Sequence, residues 1–239
     1  MTSGLWELVL RGIWTTVQLL VFSALLSAAV SFAVGMARTH RLWIVRFVAG
    51  FYTEVFRGTS ALVMIFFIFF VLPVAFGWQL VPMWAATLAL GLTYGAYGSE
   101  IVRGALNAVE PAQREGGIAL SLTPWQRMRL VVLPQAVPEM IPSFCNLLVE
   151  LLKGTALVSV MGMGDLTFSA NLVRLALQQS AEIYTYVLLI YFAIAFVLTR
   201  LMRSLEKRLK AGVGKDAGTF SAARELKRAQ TTGVGGRVA

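Results

Sequence analysis

Apolar residues run through this chain in stretches long enough to cross a bilayer, and the ionisable residues mark where each stretch stops. Gly12 to Ala37 carries no charge and predicts span one over 12–37, since about 20 apolar residues cross the hydrocarbon core. Between Arg57 and Glu100 lie 42 uncharged residues, room for two crossings, with Pro73 and Gly77 supplying the turn. These give spans over 58–76 and 80–102. A fourth, 134–160, begins after Pro134 and is unusual in holding Glu139, Glu150 and Lys153. A fifth covers 183–203 and continues as a helix with Leu201, Leu205 and Leu209 four apart, before glycines and polar residues predict a flexible basic tail over 211–239. The pattern predicts an all-α integral membrane protein of about five transmembrane helices, in one domain over 1–210.

Composition agrees: 57% of residues are hydrophobic, 14% are charged and mean hydropathy is +0.72, outside the range of soluble domains. One cysteine, Cys145, and one histidine, His40, leave neither a disulfide framework nor an internal metal site. Cys145 reads as a packing residue and His40 as a loop residue at headgroup level. Met1 to Glu7 lacks the features of a signal peptide, so span one is expected to persist.

The net charge of +9 is distributed unevenly. Five spans put the loop around Arg38 to Arg57, the loop Arg103 to Arg129 and the tail from Arg200 on one side, with 4, 4 and 10 basic residues. That side is expected to be cytoplasmic and the N-terminus to lie outside. The charge is thus a topology signal rather than a nucleic-acid footprint, and the tail's basic residues suit lipid headgroups. Gly212 to Lys215 fails as a phosphate-binding loop, because Leu209 and Asp216 stand where that loop needs Gly and Ser or Thr.

Residues 110–130 interrupt the apolar pattern. Pro111 to Leu120 predicts a short helix with Ser121-Leu122 as its exit. A second helix starts at Thr123, with Thr123 as cap, Pro124 in the first turn and Gln126 completing a capping box. Trp125, Met128 and Val132 fall on one side of it. Gly116 and Gly117 each cost about 1 kcal/mol against Ala inside a helix, so a close approach by another backbone is expected to compensate, with Glu115 offering a charge. The spacing is equally compatible with glycines that only mark a loop.

Glu115-Gly116-Gly117, Ser121 and Val131-Val132-Leu133-Pro134 together resemble the cytoplasmic "EAA" loop of ATP-binding-cassette importer permeases. The family's commoner residues are Glu-Ala-Ala, then Gly and Ile. Serine at 121 loses glycine's ease at positive φ. Tyr52 to Pro73, Gly95 to Leu106 and Leu151 to Leu166 are similar to the polar-amino-acid uptake branch of that family, of the histidine and glutamine permease kind. Within that branch the chain looks most like permeases for ectoine and hydroxyectoine, with another polar amino acid such as glutamine, glutamate or a basic amino acid as the rival substrate.

The resemblance implies a type I ABC importer permease fold and no enzymatic activity in this chain. It implies a second permease subunit, identical or homologous, an ATPase dimer that holds ATP and magnesium, an extracytoplasmic binding protein, and a location in a bacterial inner membrane. No cofactor is expected on this chain. Glu115, Gly116, Gly117, Ser121, Leu133 and Pro134 would form the ATPase-docking loop.

Ionisable groups at bilayer depth are expensive and point to function. Glu150 and Lys153 lie three apart on span four, so they either pair or line the substrate path. Gly154 would let the helix open, with Thr155 beside it. Glu100 is expected to pair with Arg103 at a helix end, and Glu139 to serve an interface. A secondary transporter would show internal repeats, and an intramembrane enzyme would show a polar catalytic cluster. Neither is present in the sequence.

Overall fold

Proline and glycine punctuate the helices as the sequence leads one to expect. The computed structural model describes residues 3–77 and 81–212. Its elements are α1 (Ser3–Ala37), α2 (Trp43–Gly58), α3 (Ala61–Phe66), α4 (Leu72–Phe76), α5 (Pro82–Ala108), α6 (Pro111–Ala119), α7 (Pro124–Arg127), α8 (Leu133–Thr155), α9 (Leu166–Leu177) and α10 (Ser180–Gly212). No strand occurs among the described residues. Pro82, Pro111 and Pro124 stand in first turns, where their missing N–H has no helical acceptor. Gly77 and Gly162 close helices at φ of 70° and 73°, the left-handed region glycine enters freely.

Two expectations need correcting. The segment 38–57 is not a loop: from Trp43 onward it winds, with Gly58, into the 16-residue helix α2, Trp43–Gly58, whose apolar positions recur on one side. The helix that holds the fourth span starts well before Pro134, because α7 runs through a π-helical turn, Met128–Val132, straight into α8. The result is one helix over Pro124–Met161. α3 and α4 are likewise joined by a π-helical turn, Phe67–Val71. The expected tail over 211–239 falls, but for residues 211 and 212 at the end of α10, outside the described residues.

By length and composition three helices can cross a membrane: Gly4–Ala37, Pro124–Met161 and Ser180–Arg208. The helices Trp43–Gly58 and Ala61–Phe76 pass the same test only when taken together, and they meet at 105°. α5 is long enough but its glycines, threonines and tyrosines dilute its hydropathy. Its position explains the composition, since α1, α2, α3 and α8 all pack on it and Ala85, Ala86, Ala89, Leu90, Ala96 and Val102 are buried. Side chains that meet protein need not be lipid-soluble.

α1 and α5 approach closely through small residues. A Cβ on Gly91 would lie 2.6 Å from Leu26, one on Gly95 2.7 Å from Val30, and one on Gly98 2.0 Å from Ser31 Oγ. Ser31 Oγ donates to Ser27 O at 2.6 Å and to Gly95 O at 3.2 Å. In a lipid environment helix pairs gain little from burying apolar surface against each other, so packing and interhelical hydrogen bonds hold them. α10, by contrast, exposes Leu188, Phe192, Phe196, Val197 and Leu201, a face suited to lipid.

Candidate functional site

Residues 110–130 fold as a knob at the end of α5. Arg114 of α6 donates to Leu106 O, tying α6 back to that helix. The chain then reverses at Ser121, whose φ of 56° is left-handed, so the strain anticipated for a serine there is present. Thr123 N donates to Gln126 Oε1 at 2.9 Å and Gln126 N to Thr123 Oγ1 at 3.4 Å. The capping box therefore forms.

The two glycines divide the work expected of both. Gly117 is buried, and a Cβ there would stand 2.7 Å from Arg127 Cγ, so its approach is internal, α6 onto α7. Gly116 is open, with nothing within 4 Å of its Cβ position. Around it Glu115, Ile118 and Leu120 are exposed, as are Ser121, Trp125 and Pro134, while Leu133 is half-buried. Trp125, Met128 and Val132 do not share one environment: Trp125 faces outward and Val132 is in the core, as the intervening π turn shifts the helical phase.

On α8, Glu139, Ser143, Asn146, Glu150 and Lys153 fall at spacings of three and four and are all exposed in the single chain, forming a polar strip. Glu150 and Lys153 make no ion pair with each other. Tyr94 of α5 leans on the strip, its hydroxyl donating to Glu150 O at 3.0 Å, and Tyr97 lies one turn along, 6.2 Å between ring centres. Gly154 does not open the helix. It is buried, and a Cβ there would meet the Tyr94 hydroxyl at 2.5 Å. Thr155 is also buried, donating to Leu152 O at 2.6 Å.

Glu100 gathers more partners than the single helix-end pair expected of it. Arg103 Nη2 lies 2.8 Å from Glu100 Oε2, and Arg57 Nη1 3.3 Å from Oε1. Arg38 pairs with the same carboxylate. One acid thus joins the ends of α1, α2 and α5, and Arg57 also lies over the Tyr97 ring at 5.7 Å. Arg38 and Arg57 were legible as basic residues of one segment, but nothing in the sequence paired them with Glu100.

A second centre was missed entirely. Asp165 caps α9, accepting from Thr167 N at 3.1 Å and Phe168 N at 3.2 Å, and is fully buried. Burial pushes its carboxyl up to about 6, against the opposing effect of those hydrogen bonds. Thr16 Oγ1 accepts from Leu166 N at 3.0 Å, and Tyr191 Oη lies 3.1 Å from Thr167 Oγ1. This polar knot ties α1, α9 and α10. The Asp-Leu-Thr string after Gly164 is a capping signal that could have located it. An apolar recess of about 490 Å³ lies between α1, α8 and α10. It lacks the convergent polar groups of a solute site.

A family model described as "Binding-protein-dependent transport system inner membrane component" matches residues 29–211. The chain is 46% identical over 201 residues to a probable amino-acid ABC transporter permease protein of Sinorhizobium fredii, covering 82% of this chain and 84% of that one. It is 34% identical to the glutamine transport system permease protein of Escherichia coli K12, with 87% and 97% covered. It is 32% identical to the arginine transport system permease protein of Bacillus subtilis, with 85% and 93% covered. Among solved structures, a crystal structure of an amino acid ABC transporter with histidines superposes with a TM-score of 0.78 at 29% identity, covering 84% and 94%. An inward-facing methionine ABC transporter gives 0.76 at 18% identity, covering 87% and 99%, a likeness of fold.

Proposed function

Because this chain belongs to the binding-protein-dependent transport system inner membrane components, a family of ABC transporter permeases, we propose that it imports a polar amino acid. It would act as one of two permease subunits above an ATPase dimer, fed by an extracytoplasmic binding protein. The observation that carries the reading is the knob. A short helix exposing Glu115, Gly116 and Leu120 is locked by a capping box onto a helix that runs unbroken from Pro124 to Met161. Such an arrangement can pass a push from an ATPase, where ATP and magnesium would be held, into the membrane. The segments richest in Lys and Arg would face the cytoplasm, with the N-terminus outside.

The polar strip of α8 supports the substrate class. Glu150 and Lys153 present opposite charges without neutralising each other, which suits the ammonium and carboxylate of a zwitterion passing between two permease subunits. The relatives named above for glutamine and arginine favour an amino acid over the ectoine or hydroxyectoine that the sequence resemblance put first. Uptake of labelled glutamine, arginine and ectoine into vesicles holding the assembled transporter and its binding protein tests both points. ATP-dependent uptake of an amino acid is expected. Uptake that ignores ATP would overturn the importer reading, and uptake of ectoine alone would overturn the substrate. Glu115→Lys is expected to leave membrane insertion intact while lowering uptake and substrate-stimulated ATP hydrolysis together at least tenfold.

A further inference from the structure

α2 presents three faces, and only two have partners. Ala49 and Thr53 are buried against the bundle, with Thr53 Oγ1 3.2 Å from Ser99 Oγ and Tyr52 Oη donating to Leu92 O at 2.6 Å. On the charged face, Arg57 joins the Glu100 network and Arg46 is exposed, as is Arg41 in the bend before α2, and neither Arg41 nor Arg46 forms an ion pair among the described residues. The third face carries Trp43, Ile44, Phe47, Val48 and Phe51, each between 57% and 69% exposed, with Glu54 exposed two turns beyond Phe47 toward the end of the helix. Trp43 and Phe47 stack with ring centres 5.4 Å apart.

Direction and depth say what covers that face. α3 and the π-helical turn after it pack on α5, and α2 meets the Ala61–Phe76 helix at 105°, so with that helix along the span direction α2 lies close to the membrane plane. While Tyr52 reaches inward to Leu92, Thr53 meets α5 at Ser99, which is about 26 Å along the helix axis from Pro82 at about 1.5 Å per residue. Beside a hydrocarbon core of about 30 Å that is the headgroup boundary. An in-plane helix with aromatic and aliphatic residues on one side and arginines on another is built for that boundary. The segment 38–57 holds four arginines and one glutamate, a charge complementary to acidic headgroups. A contact between two copies of α2 would instead bring like charges together.

We propose that α2 is an in-plane anchor whose apolar face enters the acyl region while Arg41 and Arg46 bind the phosphate of acidic phospholipids. The anchor ends at Arg57, so the lipid it holds is one residue network away from Glu100, Arg38 and Arg103. This goes beyond the import reading and does not depend on which solute is carried.

The test uses the full chain in vesicles, with Cys145→Ala and Phe47→Cys carrying a fluorophore. Nitroxide lipids labelled near the ester carbonyls are expected to quench it more strongly than lipids labelled near the chain end. Absence of quenching by either, or an oxidative disulfide between two Phe47→Cys copies, would overturn the anchor. In parallel, the ratio of phosphatidylglycerol to phosphatidylethanolamine retained by the purified chain is measured. It is expected to fall about fivefold for each of Arg41→Gln and Arg46→Gln. A ratio unchanged in the double variant would overturn the phosphate role, provided the variant's thermal midpoint matches the parent's. If that midpoint falls, Arg41→Lys and Arg46→Lys, which keep the charge, are expected to restore lipid retention, and their failure to do so would overturn it equally.

Discussion

Gly98→Ala is the sharpest test of how α1 and α5 hold together. The new Cβ would lie 2.0 Å from Ser31 Oγ, 2.9 Å from Ser31 Cβ and 3.2 Å from a Phe144 ring carbon. Rotating the serine relieves only the first contact, and it breaks the bonds to Ser27 O and Gly95 O. The second contact requires the helices to move apart. Overpacking of this kind costs about 1–3 kcal/mol and a lost hydrogen bond about 1 kcal/mol, giving about 2–4 kcal/mol. Alanine's better helix propensity returns about 1 kcal/mol. Gly104→Ala on the same helix supplies the control, because nothing lies within 4 Å of its Cβ position and it should gain that propensity without the clash. Thermal unfolding of the full chain in detergent, followed by tryptophan fluorescence, should therefore place Gly98→Ala roughly 5–15 °C below Gly104→Ala. Adding Ser31→Gly should recover much of the gap. Equal midpoints for the two alanine variants, or no recovery, would refute the close-packing argument.

Glu100→Gln should destabilise the chain by about 2–3 kcal/mol, since three guanidinium groups lose their shared carboxylate and repel one another; additivity with Arg38→Gln in a double-mutant cycle would show that the network carries no coupling. Ser121→Gly should stabilise by up to about 1 kcal/mol, because it frees a φ of 56° from side-chain strain, and a lower thermal midpoint would contradict that. Asp165, raised by burial to about 6, keeps a proton in the folded state that the unfolded state releases above its ordinary value near 4. Stability should be greatest below that value, fall by about 2–3 kcal/mol as pH rises to about 6, and be flat above. Asp165→Asn should remove the slope in a pH series of midpoints.

The sequence disclosed what depends on local signals. Thr123-Pro124-Trp125-Gln126 encodes its capping box within four residues, and the charge-free runs encode helices whose bounds moved by up to about ten residues. It concealed what depends on distant partners. Gly98 and Ser31 are 67 positions apart, so α5 looked merely less apolar than its neighbours, although its small residues are the reason it can sit at the centre. Gly154 was legible as an oddity but its cause, the Tyr94 hydroxyl, lies 60 positions away. α2 was hidden differently: four arginines made 38–57 resemble a loop, and only the helical phase of Trp43, Phe47 and Phe51 betrays a helix there.

The knob's two glycines bear on how motion could travel. A lever transmits displacement only if its end is stiffer than the joint it pushes against, and Gly117 supplies stiffness by letting α6 press against the Arg127 side chain without a Cβ between them. The capping box stiffens the same turn from the other side. Beyond it the helix continues to Met161, widening at Met128–Val132, lacking backbone donors at Pro138 and Pro142, and tightening into a 3-10 turn over Ala156–Met161. Widened turns keep the helix axis continuous while changing which residues face the core. Val132, Ala136 and Met140 are accordingly buried on the bundle side, while Glu139, Glu150 and Lys153 stay on the open side. Under the proposed reading a push on the knob therefore reaches the α8 polar strip along this helix. Tyr94, hydrogen-bonded to Glu150 O and seated against Gly154, is where α5 would be carried with it.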